Sequence, residues 1–182
     1  VSLTSGLDGY EVAFLDALYS VDPIGERIVE IGPQPDRPLP EEFQILLIRY
    51  LVSNYGGPLE GREVSEKDLP GGVLFFQGPH ALYVEPIASL YGRDPDGFAA
   101  RCAELNAVPV EYGDKAMQFS PFPLLPVTYV LWREDEEFPA SVSVVFDASI
   151  VRWFELDMVF TLVLALTQRI VAGQSGRGST KL

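Results

Sequence analysis

The chain has one cysteine, Cys102, and one histidine, His80, and each scarcity excludes a class of chemistry. A single thiol closes no internal disulfide, so a disulfide-stapled secreted module is ruled out. An iron–sulfur centre needs several thiolates, and a zinc site built here would need carboxylates for most of its ligands. No Ser/His/Asp triad can be assigned, because there is no nucleophile-elbow pattern. Gly71-Gly72 lacks the lysine of a phosphate-binding loop and the spacing of a dinucleotide site, so it reads as a turn. Basic residues are scarce too: 13 Lys and Arg face 26 Asp and Glu, a formal net charge of −13. That field repels phosphate backbones and anionic lipid surfaces, so neither nucleic acid nor a membrane is an expected partner. The longest apolar run, residues 158–166, is about half of what a bilayer-spanning helix needs. Val1-Ser2-Leu3-Thr4 does not open a basic-then-apolar signal segment, so the cytoplasm is the expected location.

What is plentiful is apolar surface, at 47% of residues, with 12% aromatic. A chain of 182 residues hides roughly 70% of its open-chain surface on folding, enough for one core. Residues 1–172 read as a single domain. Residues 173–182, Gly- and Ser-rich, read as a flexible tail.

Residues 10–18 and 28–31 read as two short strands, and residues 32–38, rich in proline, as a stiff connector. Pro40 then opens a helix whose first turn carries Glu41 and Glu42, where the helix dipole favours negative charge. Phe43, Leu46, Leu47, Tyr50 and Leu51 share one face, and Ile45, Ile48 and Val52 a second, which predicts burial on more than one side. Ser65-Glu66-Lys67-Asp68 starts a short helical turn, and residues 73–76 are strand or helix. Residues 81–91 form a helical candidate interrupted by Pro86, and Asp94 or Asp96 caps a helix over 97–105. Residues 108–112 and 116–119 make a hairpin around Gly113-Asp114-Lys115. Pro121, Pro123 and Pro126 are expected to hold the next segment extended. Residues 127–132 form a central strand and 141–146 an alternating one, joined as an antiparallel hairpin by the acidic link 133–140. Residues 155–171 form a long apolar helix. The class is α+β: a mainly antiparallel sheet in the second half of the chain, covered on one face by long apolar helices.

Chemistry has few places to reside. Glu134-Asp135-Glu136-Glu137 could collect a hard divalent cation through oxygen ligands, or could be a solvated loop that discourages edge aggregation. It lacks the Asp-x-Asp-x-Asp-Gly spacing of a calcium loop. His80, after Phe75-Phe76-Gln77-Gly78-Pro79, could be an axial ligand to haem or a corrinoid, a lone acid–base group, or an ordinary turn residue. Cys102 reads as buried and structural. Trp132, Trp153, Phe138 and Phe146, with Asp147, either line a pocket or pack as core.

Several segments together resemble a known family. Residues 44–51 (QILLIRYL) precede Pro58-Leu59-Glu60-Gly61-Arg62 and Leu69-Pro70-Gly71-Gly72. Then come Gly92-Arg93-Asp94-Pro95-Asp96-Gly97-Phe98, the stretch 131–140 (LWREDEEFPA), and Val145-Phe146-Asp147-Ala148-Ser149. In that order they resemble the bacterial and archaeal family DUF3786, over about residues 10–172. The resemblance implies that the acidic loop and its two strands recur in the family. It also implies an association of some relatives with iron–sulfur domains and anaerobic one-carbon or corrinoid metabolism, although this chain lacks their cysteine cluster.

The expectation is therefore a non-catalytic binding or accessory protein that docks a protein partner or a tetrapyrrole-type ligand. His80, Trp132, Asp135, Glu136, Glu137 and Asp147 are its candidate binding residues. The rival is an enzyme working with carboxylates alone, with Glu136 or Asp147 as general base and a divalent ion assisting, which requires a pKa raised by burial. A homodimer joined through apolar helices, without ligand, is the third reading.

Overall fold

A computed structural model describes residues 2–3 (backbone only), 9–33, 37–53 and 56–172 of the chain. The expected tail at 173–182 and the middle of the 32–38 connector lie outside these residues. Short alternating segments fold the N-terminal part into an antiparallel meander, β1 (Ser2–Leu3), β2 (Tyr10–Phe14), β3 (Ala17–Asp22) and β4 (Arg27–Glu30), in that spatial order. The single strand expected over 10–18 is thus a hairpin, reversing at Leu15-Asp16 with Leu15 at φ +53°. A two-residue turn needs left-handed backbone, which usually calls for glycine or asparagine, so a leucine there leaves no signal. At the next reversal the Asp22 carboxylate accepts from the backbone N–H groups of Ile24 (3.0 Å) and Gly25 (2.9 Å). Val12, Phe14, Tyr19 and Val21 alternate onto one buried face.

Helix α1 (Glu41–Ser53) buries Phe43, Leu46, Leu47 and Tyr50. Its second apolar stripe, Ile45, Ile48 and Val52, stays exposed, so burial on two sides is not achieved within the chain. Strand β5 (Glu63–Val64) follows, then a 3-10 turn, Glu66–Asp68, entered through Ser65. The ambiguous run at 73–76 is helical, as α2 (Gly72–Phe75). Glycine is needed there, because a Cβ on Gly72 would lie 1.9 Å from the Glu66 carbonyl oxygen, a backbone atom that cannot step aside. Gly72→Ala should therefore cost about 2 kcal/mol, as overpacked sites do, read from the midpoint of urea unfolding.

Helix α3 (Glu85–Tyr91) carries Pro86 in its first turn, so the proline opens the helix and does not interrupt it; a first-turn N–H has no intrahelical partner to lose. Helix α4 (Pro95–Glu104) is capped by Asp94, whose carboxylate accepts from the Gly97 N–H at 2.9 Å. Cys102 on α4 is fully buried, and burial pushes its thiol far above the ordinary value, with Arg101 opposing weakly.

The second sheet combines β5 with β6 (Val108–Val110), β7 (Lys115–Phe122), β8 (Leu125–Trp132) and β9 (Ser141–Asp147) in the order β5-β9-β8-β7-β6, every pair antiparallel. The segment with Pro121, Pro123 and Pro126 is not one extended connector. Strand β7 runs on to Phe122, turns through Leu124 at φ +62°, and returns as β8. Proline is tolerated there because the register shifts between Phe119 and Phe122, where the ladder is already irregular. Strands β8 and β9 form the hairpin expected around the acidic link, with Trp132 opposite Ser141.

Helix α5 (Leu156–Ala172) lies on the buried face of this sheet: the Tyr129 hydroxyl donates to the Val163 carbonyl at 3.0 Å and lies 3.2 Å from the Thr167 hydroxyl. The last turn of α5 leaves carbonyls without intrahelical donors. The Arg101 guanidinium supplies them, donating to Arg169 O at 2.6 Å and Ile170 O at 3.1 Å. The fold is α+β, with two antiparallel sheets where one was expected, and long apolar helices between and beside them. Among the described residues no helix is long and apolar enough to cross a membrane.

Candidate functional site

The acidic link holds its own shape. Asp135 accepts from the N–H groups of Glu137 (2.8 Å) and Phe138 (2.7 Å), and those bonds hold its carboxyl below the usual range. Glu134 pairs with Arg93, and its N–H donates to the Gly92 carbonyl at 3.2 Å. Glu136 and Glu137 face solvent. Among the described residues no three His, Cys, Asp or Glu side chains converge where a metal ion could be held.

The other predicted residues do not join that loop. Asp147 ends β9 while the loop precedes its start, so the strand separates them by roughly 20 Å at 3.3 Å per residue. The Asp147 carboxylate accepts from the backbone N–H groups of Gly61 (2.7 Å), Ser149 (2.9 Å) and Glu60 (3.0 Å). Partial burial pushes its pKa up, but the Ser149 side chain and these N–H donors outweigh it, and the net shift is downward. A general base needs the opposite shift. His80 is exposed, stacked on Phe75 with ring centroids 4.7 Å apart and edge-on to Phe160. The aromatic set divides: Trp153 and Phe146 are core, while Trp132 and Phe138 lie on the surface beside the acidic link.

A formed cleft lies elsewhere. Its volume is about 370 Å³, and it opens between the first sheet, the Arg37-Pro38-Leu39-Pro40 approach to α1, and the C-terminal half of α5. Strand alternation turns Tyr19 inward, and the antiparallel register sets Glu30 of β4 opposite it. Arg169, near the end of α5, donates from Nη2 to the Tyr19 hydroxyl oxygen. Burial raises the Tyr19 pKa, with Arg169 pulling it down and Glu30 pushing it further up, so the net shift is upward and the phenol keeps its proton. Phe43 and Leu164 supply apolar wall, and Glu42 and Gln168 complete the polar rim. A smaller cleft of about 230 Å³ shares Arg37, Pro38 and Leu39 with it. None of His80, Trp132, Asp135, Glu136, Glu137 or Asp147 lines either cleft.

Sequence reasoning passed over this place. One signal was available: Arg169 and the neighbouring Gln168 are long polar side chains in a mostly apolar helix, and such residues face either solvent or a polar partner.

The model of the family described as "Domain of unknown function (DUF3786)" matches residues 2–169. The chain belongs to that family. The match spans both sheets and every helix except the last residues of α5, and it covers every described residue lining the cleft except Ala172. No curated protein and no solved structure matches the chain. The DUF3786 description names no activity, so chemistry must be read from the cleft. Its described lining offers donors and apolar walls but no His, Cys or Lys, and no nucleophile set beside a base.

Proposed function

We propose that this DUF3786 chain is a non-catalytic binding or accessory protein whose ligand occupies the cleft beside Tyr19 and Arg169. The observation that carries the reading is a concave, partly apolar cavity with a few convergent polar groups, the usual character of a ligand pocket. Its volume, at the low end for such pockets, suits a compact molecule. A haem or corrinoid is the less favoured ligand. Axial ligation draws on His, Cys, Met or Tyr, the described lining offers only Tyr19, and that oxygen already accepts from Arg169. Service to anaerobic one-carbon metabolism remains a proposal carried by family resemblance alone.

The test is equilibrium dialysis of the purified protein against a small-molecule extract of its host, with bound species read by mass spectrometry. At least one compound should be enriched, and Leu164→Trp, which fills the cleft from a half-buried position on α5, should lower the enrichment at least tenfold. Absence of enrichment, or enrichment indifferent to Leu164→Trp, would remove the cleft as the site.

A further inference from the structure

The charges around the cleft say what kind of ligand it takes; this inference rests on the cleft being the binding site. The chain holds twice as many carboxylates as cations, yet neither Arg37 nor Arg169 forms an ion pair with a described residue. Arg169 is half-buried and is oriented by a hydroxyl, and most of its five N–H donors have no partner among the described residues. The Tyr19 hydroxyl accepts from Arg169, and no described residue accepts the hydroxyl's own proton. Tyr19 is fully buried, so it serves to hold the guanidinium of half-buried Arg169, whose remaining N–H donors are set to receive an acceptor at the cleft.

Two further features narrow the acceptor. The guanidinium fork matches the planar two-oxygen edge of a carboxylate. Glu30 and Glu42 line the same cleft, so the formal charges of its described lining sum to zero, and Glu30 sits opposite Tyr19 in the ladder. A dianion would be repelled by Glu30, whereas one negative charge is balanced by Arg169. We propose that the cleft takes a small monocarboxylate with an apolar body, its carboxylate received by Arg169, which Tyr19 orients, with Arg37 at the rim and the body lying on Pro40, Phe43 and Leu164. Arg169 contacts the ligand and Tyr19 positions it.

The probes are 3-phenylpropionate, its neutral counterpart 3-phenylpropanol, and phenyl phosphate, each titrated into the whole chain and followed by 1H–15N correlation spectra. The acid should shift the Phe43 and Ala165 amides and the Arg169 Nε–H saturably, binding at least tenfold more tightly than the alcohol or the phosphate. Arg169→Gln should weaken it at least tenfold, and Tyr19→Phe and Arg37→Gln about threefold each. If Arg169→Gln fails to fold, the other two variants decide. Equal binding of acid and alcohol, or tighter binding of the phosphate, overturns the monocarboxylate while cleft shifts uphold the cleft. If none of the three probes moves these resonances the monocarboxylate is also overturned, and the dialysis against host extract judges the cleft separately.

Discussion

Phe122→Ala should lower folding stability by about 4 kcal/mol, in the upper part of the range for deleting a buried phenyl ring. Phe122 is fully buried at the end of β7. Its ring stacks on Tyr50 of α1 with centroids 4.1 Å apart, and meets Phe14 of the first sheet edge-on at 5.1 Å. Phe154, just before α5, lies 6.1 Å away. Three separate parts of the fold converge on this side chain of β7, so no single wall can move in to fill the cavity without pulling on the others. Nearby, Leu15 of the first sheet donates its N–H to the Pro121 carbonyl at 3.0 Å, a second link across the same junction. Urea unfolding should show one cooperative transition at a lower midpoint, with Phe138→Ala, at an exposed ring, as the near-neutral control. A loss below about 2 kcal/mol, or two resolved transitions, would mean that the two sheets do not share a core.

The parts of the fold legible in the sequence were those whose signal is local and periodic. Strands β8 and β9 alternate or run apolar over their whole length, and a hairpin is the simplest use of the short acidic link 133–140 between them, so their pairing followed. Helix α5 was legible for the same reason, and a cap at Asp94 or Asp96 was legible from local residue type, with Asp94 taking the role. The first sheet was legible only in part: residues 10–18 and 28–31 read as strands, but the reversal through Leu15-Asp16 did not show, because leucine at positive φ announces nothing. Proline misled twice. Pro86 lies where helices accept it, and Pro121 lies beside a register shift; both depend on positions one or two residues away. Residue type is a poor guide to a binding place for a related reason. The acidic run and His80 attract notice because they are unusual in composition, yet the cleft is built from Tyr19, Arg37, Phe43 and Arg169, ordinary residues brought together from distant parts of the chain. No motif spans that distance.

The second large effect concerns Asp147, which sequence reasoning placed in a site and the fold uses as a fastening. Its carboxylate caps the 3-10 turn Ala148–Arg152 through the Ser149 N–H and anchors the loop before β5 through Glu60 and Gly61. Losing a cap typically costs about 1 kcal/mol, and hydrogen bonds to a charged acceptor contribute roughly 1.5–3 kcal/mol each before non-additivity is allowed for. Asp147→Ala should therefore cost about 3 kcal/mol at neutral pH, while Asp147→Asn, which keeps one acceptor oxygen, should cost about half of that. The pH dependence carries a definite sign. The folded pKa lies below the unfolded value, so the stabilisation is complete above roughly pH 4, where the unfolded carboxyl is ionised. It is lost as pH falls through the folded pKa. The gap between wild type and Asp147→Asn should thus be constant from pH 8 to 5 and narrow below pH 4, measured as chemical denaturation midpoints. A gap that widens in acid would mean that the folded protein holds Asp147 protonated, which is what a general base raised by burial would do. Any activity found for this chain and lost in Asp147→Ala has to be compared at equal folded fraction, since the fastening alone accounts for a large loss.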